Sequence, residues 1–113
     1  MKYIPYGRQS IDSSDIKAVL SVLKSDFLTQ GPRLEEFEKA ICRYTGARYC
    51  LALSSATAAL HIGILALELE KGSEGITSPI TFVASANCLL YANLKPKFAD
   101  IDSTTYNLSL IHI

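Results

Sequence analysis

A length of 113 residues and a mass of 12.3 kDa allow one domain at most, and 49% hydrophobic content is enough for a core. Eleven basic residues balance eleven acidic ones, which argues against a nucleic-acid backbone or an anionic membrane surface as partner. No run approaches the ~18 apolar residues of a membrane span, and the three widely spaced cysteines fit neither a disulfide framework nor a zinc ligand set.

Residues 1–11 read as extended, with Tyr3 and Tyr6 around Pro5 as surface anchors or substrate contacts. Asp12-Ser13-Ser14-Asp15 is a helix-start signal, a capping oxygen followed three residues later by a carboxylate. Ile16, Val19, Leu20 and Leu23 then recur at helical spacing. Residues 26–31 break that pattern as a loop, and Pro32 suits the first turn of a second helix, where its missing N–H is not needed. Leu34, Phe37, Ile41 and Tyr44 form the expected buried stripe of that helix, and Gly46 its C-terminal stop.

Tyr49-Cys50-Leu51-Ala52-Leu53 reads as a strand, and residues from about 56 to 70 as a helix apolar nearly all round, which implies a central position. After a turn at 71–75 come a short strand (76–78) ended by Pro79, a helix from Phe82 to Tyr91, and a further strand from Leu94 to Ile101. Strand and helix alternating at these intervals predict an α/β fold with a mainly parallel sheet and flanking helices. A mean hydropathy of +0.20 is high for a small soluble domain. It fits strands buried on both faces, or apolar surface meant for another part of a larger protein. Arg8, Asp12 and Asp15 interrupt any apolar stretch of signal-peptide type, and the cysteine usage suits a reducing cytoplasm, with Cys42, Cys50 and Cys88 as core filler.

The stretch Ser54-Ser55-Ala56-Thr57-Ala58-Ala59-Leu60 carries the chemistry. A strand passing into a helix through small residues leaves the first N–H groups of the helix bare. Together with the helix dipole and the hydroxyls of Ser55 and Thr57 they make a pocket for an anion, most often a phosphate. An ordinary helix cap explains the same residues. The stretch lacks the Gly-rich lysine loop of a P-loop and the glycine triplet of a dinucleotide fold. Residues 54–57 and 79–82 both fall at carboxyl ends of expected strands, where parallel sheets hold ligands. Phe82 there offers a face to a flat heteroaromatic ligand, or is plain core. His61 has no partner in view and reads as structural. Asp100 and Asp102 are metal ligands or, more simply, turn caps.

Three blocks in order resemble one family: Leu28-Thr29-Gln30-Gly31-Pro32 ahead of Leu34-Glu35-Glu36-Phe37-Glu38; Leu53-Ser54-Ser55-Ala56-Thr57-Ala58-Ala59-Leu60-His61; and Thr77-Ser78-Pro79-Ile80-Thr81-Phe82 followed by Lys97-Phe98-Ala99-Asp100-Ile101-Asp102. The family is the DegT/StrS-type nucleotide-sugar aminotransferases, pyridoxal-phosphate enzymes of the aspartate-aminotransferase fold (fold type I). The wording at Tyr6 and Pro79-Ile80-Thr81-Phe82 resembles the branch that makes the amino-sugar precursor of pseudaminic acid. The resemblance implies that Ser55, Ala56 and Thr57 hold the pyridoxal 5'-phosphate phosphate group and that Phe82 lies against its ring. Tyr6 and the loop Asp26, Phe27, Leu28 and Thr29 would touch the nucleotide-sugar. It further implies glutamate as amino donor and a homodimer.

The family's cofactor-joining lysine and the aspartate that holds the ring nitrogen protonated lie beyond the position of Asp102. None of the lysines here sits in that motif, so no catalytic residue is assigned. The expectation is an N-terminal portion of the enzyme, a single incomplete domain with a helical segment at 1–46 and the start of the cofactor-binding large domain at 47–113. It would be inactive by itself. A stand-alone phosphate- or nucleotide-binding module, or a pairing partner for a full-length paralogue, are the competing readings.

Overall fold

The computed structural model describes Pro5, residues 7–109 and Ile111. The chain divides into two compact units, Met1–Ala52 and Leu53–Ile113.

The first unit carries two helices. Helix α1 (Ser13–Leu23) begins where the sequence places it. Asp12 accepts from the Ser14 and Asp15 amides at 2.7 and 3.2 Å, and the Asp15 carboxylate accepts the Asp12 amide at 2.9 Å. This reciprocal box satisfies three of the donors a helix start leaves orphaned. Helix α2 (Pro32–Thr45) starts on Pro32 and ends on Gly46. The φ of Gly46 is 76°, a left-handed value that a residue without Cβ adopts without strain, and its amide reaches the Cys42 carbonyl at 2.9 Å.

The expected buried stripe of α2 is not buried. Leu34 and Phe37 are exposed, Tyr44 is 91% exposed, and only Ile41 is partly covered. No described element packs closely on that face, so periodicity marks the helix but not its burial. A second correction concerns residues 49–53, which form no strand. A strand exists only through its ladder. Here the Ala52 amide bonds instead to the Glu38 carboxylate of α2, at 2.8 Å.

The second unit holds α3 (Ala56–Ala66), β1 (Glu74–Thr77), α4 (Ala84–Tyr91) and β2 (Lys95–Phe98). The strands pair in parallel, Glu74 opposite Lys95 through Thr77 opposite Phe98, and α4 is the crossover between them. The expected α/β class and parallel pairing therefore hold, with shorter elements. Four residues of β1 give β2 a partner for only four of its own, short of Leu94–Ile101. Pro96, which lacks an amide proton, is tolerated on a strand with a free edge. Helix α3 stops at Ala66 instead of Glu70 because the chain must turn back into β1. Glu68 takes a φ of 49°, and the Gly72 amide bonds to the Asn93 carbonyl at 2.9 Å.

The core is small: Ala84, Cys88, Leu89 and Leu94 are buried, with Ile64 and Ala92 packed against the cluster of Cys88, Leu89 and Leu94. Gly75 on β1 makes room for it, since a Cβ there would lie 2.5 Å from a Leu89 methyl. Helix α3 is not central as its composition suggests. It buries no residue fully, and Thr57, Ala58, His61 and Ile64 form one half-buried stripe at helical spacing on a helix that packs on α4.

Candidate functional site

Ser55 is the N-cap of α3, and its hydroxyl accepts the Ala58 amide at 3.1 Å. A cap can satisfy one or two of the orphan donors at a helix start. Ala56 and Thr57 occupy the first two helical positions, and their amides have no hydrogen-bond partner among the described residues; neither has the Thr57 hydroxyl. Two bare N–H groups, a hydroxyl and the positive end of an 11-residue helix form a short run of donors facing one way. Ala56 adds only a methyl at this end and is exposed, while Thr57 is half-buried.

Phe82 lies in the segment that leaves the carboxyl end of β1, and its carbonyl accepts the Ser85 amide at 3.0 Å. It precedes α4 instead of opening it, a correction to the expected start of that helix. Its side chain is 74% exposed, so the ring is not core. Nearby hydroxyls fix the local backbone: Ser78 accepts the Ile80 amide at 3.1 Å, and the Thr81 and Ser85 hydroxyls are 3.0 Å apart. The family resemblance assigns no role to Ser78, Thr81 or Ser85; hydroxyls every three or four residues around a proline are the signal in the sequence that points to them. In a parallel pair both carboxyl ends lie on one edge, so residues 78–82 and 99–102 leave the sheet on the same side.

On that side, Asp100 accepts the Ile101 amide at 2.8 Å, and Asp102 accepts the Thr104 and Thr105 amides at 3.0 and 2.8 Å. The Asp102 carboxylate thus caps its own turn, and that of Asp100 holds the amide next to it. His61 packs edge-on against Tyr91, ring centroids 5.2 Å apart, in the structural role expected of it. Among the described residues no group of three or more His, Cys, Asp or Glu gathers as metal ligands, and no helix is long and apolar enough to cross a membrane.

Asp26, Phe27, Leu28 and Thr29 belong to the first unit, between α1 and α2. Ser25 anchors the loop, its hydroxyl donating to the Val22 carbonyl at 2.8 Å and accepting the Phe27 amide at 3.3 Å. The loop folds so tightly on Gly31 that a Cβ there would fall 2.6 Å from the Phe27 Cβ. Leu28, with Val19, Leu23 and Arg33, lines an apolar groove of about 480 Å³. Tyr6 and Tyr3 lie outside the described residues. The candidate residues thus divide into one continuous cap (Ser55, Ala56, Thr57), one exposed ring in the same unit (Phe82), and one loop in the other unit.

Residues 9–113 match the DegT/DnrJ/EryC1/StrS aminotransferase family. The UDP-4-amino-4-deoxy-L-arabinose–oxoglutarate aminotransferase of Shewanella sediminis is 41% identical over 102 residues, 90% of this chain and 26% of that protein. Among solved structures, Helicobacter pylori PseC, an aminotransferase involved in the biosynthesis of pseudaminic acid, superposes with a TM-score of 0.83 at 43% identity, covering 89% of this chain and 28% of that one. An E. coli GDP-4-keto-6-deoxy-D-mannose-3-dehydratase with bound hydrated PLP gives a TM-score of 0.88 at 30% identity, covering 96% and 30%. The chain therefore spans 26–30% of the length of these relatives.

Proposed function

The chain belongs to the DegT/DnrJ/EryC1/StrS aminotransferase family, and on that premise we propose that it is the N-terminal portion of a pyridoxal-phosphate enzyme. That enzyme moves an amino group from glutamate to a nucleotide-linked 4-keto-6-deoxy sugar. The observation that carries the reading is the start of α3, where Ser55 serves Ala58 and leaves the Ala56 and Thr57 amides without a partner among the described residues. A phosphate dianion needs several donors converging near the positive end of a dipole, and these residues fit that demand.

Each residue has a distinct task. The Ala56 and Thr57 amides and the Thr57 hydroxyl bind phosphate oxygens, while Ser55 holds the first turn in the geometry that presents them. Phe82 lays its exposed face against the cofactor ring, and Asp26 to Thr29, with Tyr6, contact the nucleotide-sugar. The cofactor, when bound, supplies an aldehyde that takes up and passes on the amino group. The lysine and aspartate that complete this chemistry in the family lie beyond the position of Asp102, so amino transfer is proposed for the whole-length enzyme, as a cytoplasmic homodimer. The 43% identity to PseC supports the pseudaminic-acid branch.

A second reading has its own support. The sugar dehydratase superposes with a TM-score of 0.88, so this portion of the fold also serves a PLP-binding enzyme of that name. On that reading the chain binds the cofactor phosphate alike, and residues outside it select elimination over amino transfer.

The binding proposal is tested by titrating the isotope-labelled chain with pyridoxine 5'-phosphate, which has the ring and phosphate but no aldehyde to react with surface lysines. The Ala56 and Thr57 amide resonances should shift in a saturable way, and inorganic phosphate should compete. Movement elsewhere with those two amides silent would refute the cradle. Whole-length enzyme, glutamate and a nucleotide-linked keto-sugar then separate the two chemistries, amino sugar with 2-oxoglutarate against deoxygenated product.

A further inference from the structure

We propose that Cys42 and Cys50 form an oxidisable thiol pair, closed into an intrachain disulfide by hydrogen peroxide. All the residues concerned belong to the first unit. Glu38 and Cys42 are four residues apart on α2, hence on one face and about 6 Å apart along the axis. Cys50 and Ala52 are two residues apart in the segment after Gly46, a span of at most about 7 Å. The Glu38 carboxylate accepts the Ala52 amide at 2.8 Å, so this segment runs back along α2 from the Gly46 turn. Pairing Glu38 with Ala52 leaves Cys42 and Cys50 opposite each other, one helical turn nearer the bend. Both cysteines are free and half-buried.

The electrostatics of Cys50 agree with that placement. Its thiol is pushed up from its ordinary value first by burial, then by Cys42, then by the Glu38 charge. It therefore feels the two α2 residues that the backbone tie puts beside it. A thiol held protonated reacts slowly, so the pair stays reduced under mild conditions.

The reaction balances without any group beyond the oxidant. One thiolate attacks a peroxide oxygen, breaking the O–O bond and leaving a sulfenic acid; the second sulfur displaces its hydroxyl group as water, forming S–S. Two thiols and one peroxide become one disulfide and two waters. The new bond pins residues 50–52 to α2, immediately ahead of Ser54 in the chain.

Trypsin gives a direct readout on the full chain, because cleavage after Lys39, Arg43 and Arg48 separates the two cysteines. After peroxide treatment and alkylation, the peptide Ala40–Arg43 should appear joined to Tyr49–Lys71, two hydrogens lighter than their sum, with Cys88 alkylated. Loop length alone favours this pair over those with Cys88 by about tenfold in an unfolded chain. The same oxidation in urea is therefore the control. Because Cys88 is itself buried in the folded chain, the quantity compared is the yield of the Cys42–Cys50 peptide, which should be greater in the folded chain than in urea. Cys42→Ser and Cys50→Ser should each abolish the joined peptide. A yield of the joined peptide no greater in the folded chain than in urea, joining to Cys88, or sulfinic acid on separate cysteines would each overturn the pair.

Discussion

In the first unit, α1 and α2 carry well-made ends and bury no residue: a reciprocal Asp12–Asp15 box, a proline at the first helical position, a glycine in the left-handed cap. In the second unit α4 has no side-chain cap at all, yet it buries Ala84, Cys88 and Leu89 and packs on α3, β1 and β2. Local hydrogen bonding and tertiary packing are thus separate sources of order, placed in different parts of this chain. A cap acts within one turn, while packing couples residues far apart in sequence, such as Gly75 and Leu89.

The largest expected effect comes from the packed unit. Leu89→Ala removes the central side chain of the core and should lower the stability of the second unit by about 2–5 kcal/mol, read by urea titration of its amide signals. A loss no greater than that of a cap substitution would break the contrast. Gly75→Ala comes next, with an expected cost of about 1–3 kcal/mol, because the new methyl meets Leu89 rather than space. The cycle sharpens the point: in a Leu89→Ala background the same change should cost much less, since its obstacle is gone. Additive costs would mean that Gly75 is needed for some other reason.

Ser55→Ala belongs to the cap class although it lies in the second unit. It removes one acceptor from the Ala58 amide and should cost about 1 kcal/mol. The same substitution separates stability from ligand contact. On the proposed assignment the Ala56 and Thr57 amides persist, so pyridoxine 5'-phosphate affinity should fall modestly, and a Thr57→Val change should lower it while leaving the cap intact.

This division also explains what the sequence discloses. Asp12, Gly46 and Ser55 act through bonds to residues at most four positions away, Pro32 through the N–H it lacks, and each is where its local chemistry puts it. Tyr49 to Leu53 has the composition of a strand, but a strand needs a partner, and no local signal says that the Ala52 amide goes to Glu38. Leu67 and Leu69 extend the apolar pattern of α3, and the demand that Glu74 meet Lys95 ends the helix earlier. Tyr44 lies in a perfect apolar stripe and is still exposed, because periodicity specifies a face and not what covers it. At the site, the cap was legible residue by residue. The exposure of Phe82 depended on where β1 ends and α4 begins, which is tertiary information.

The smallest effect tests the first unit by protonation. The Asp12 carboxyl is held below its ordinary value of 3.8 by bonds from the Ser14 hydroxyl and the Ser14 and Asp15 amides. A depressed carboxyl contributes stability that is present above the ordinary value and is lost as pH falls through the folded one. The Ser14 and Asp15 amide resonances should therefore titrate together with a midpoint below 3.8, and α1 helicity should decline only in that acidic window. Asp12→Asn keeps an acceptor of equal capping quality but cannot be protonated there, so the helix should survive and the titration of both amides through Asp12 should vanish. A midpoint at or above the ordinary carboxyl value, or an unchanged titration in Asp12→Asn, would show that α1 owes its start to something other than this cap, and the contrast between a capped unit and a packed one would fail at its clearest point.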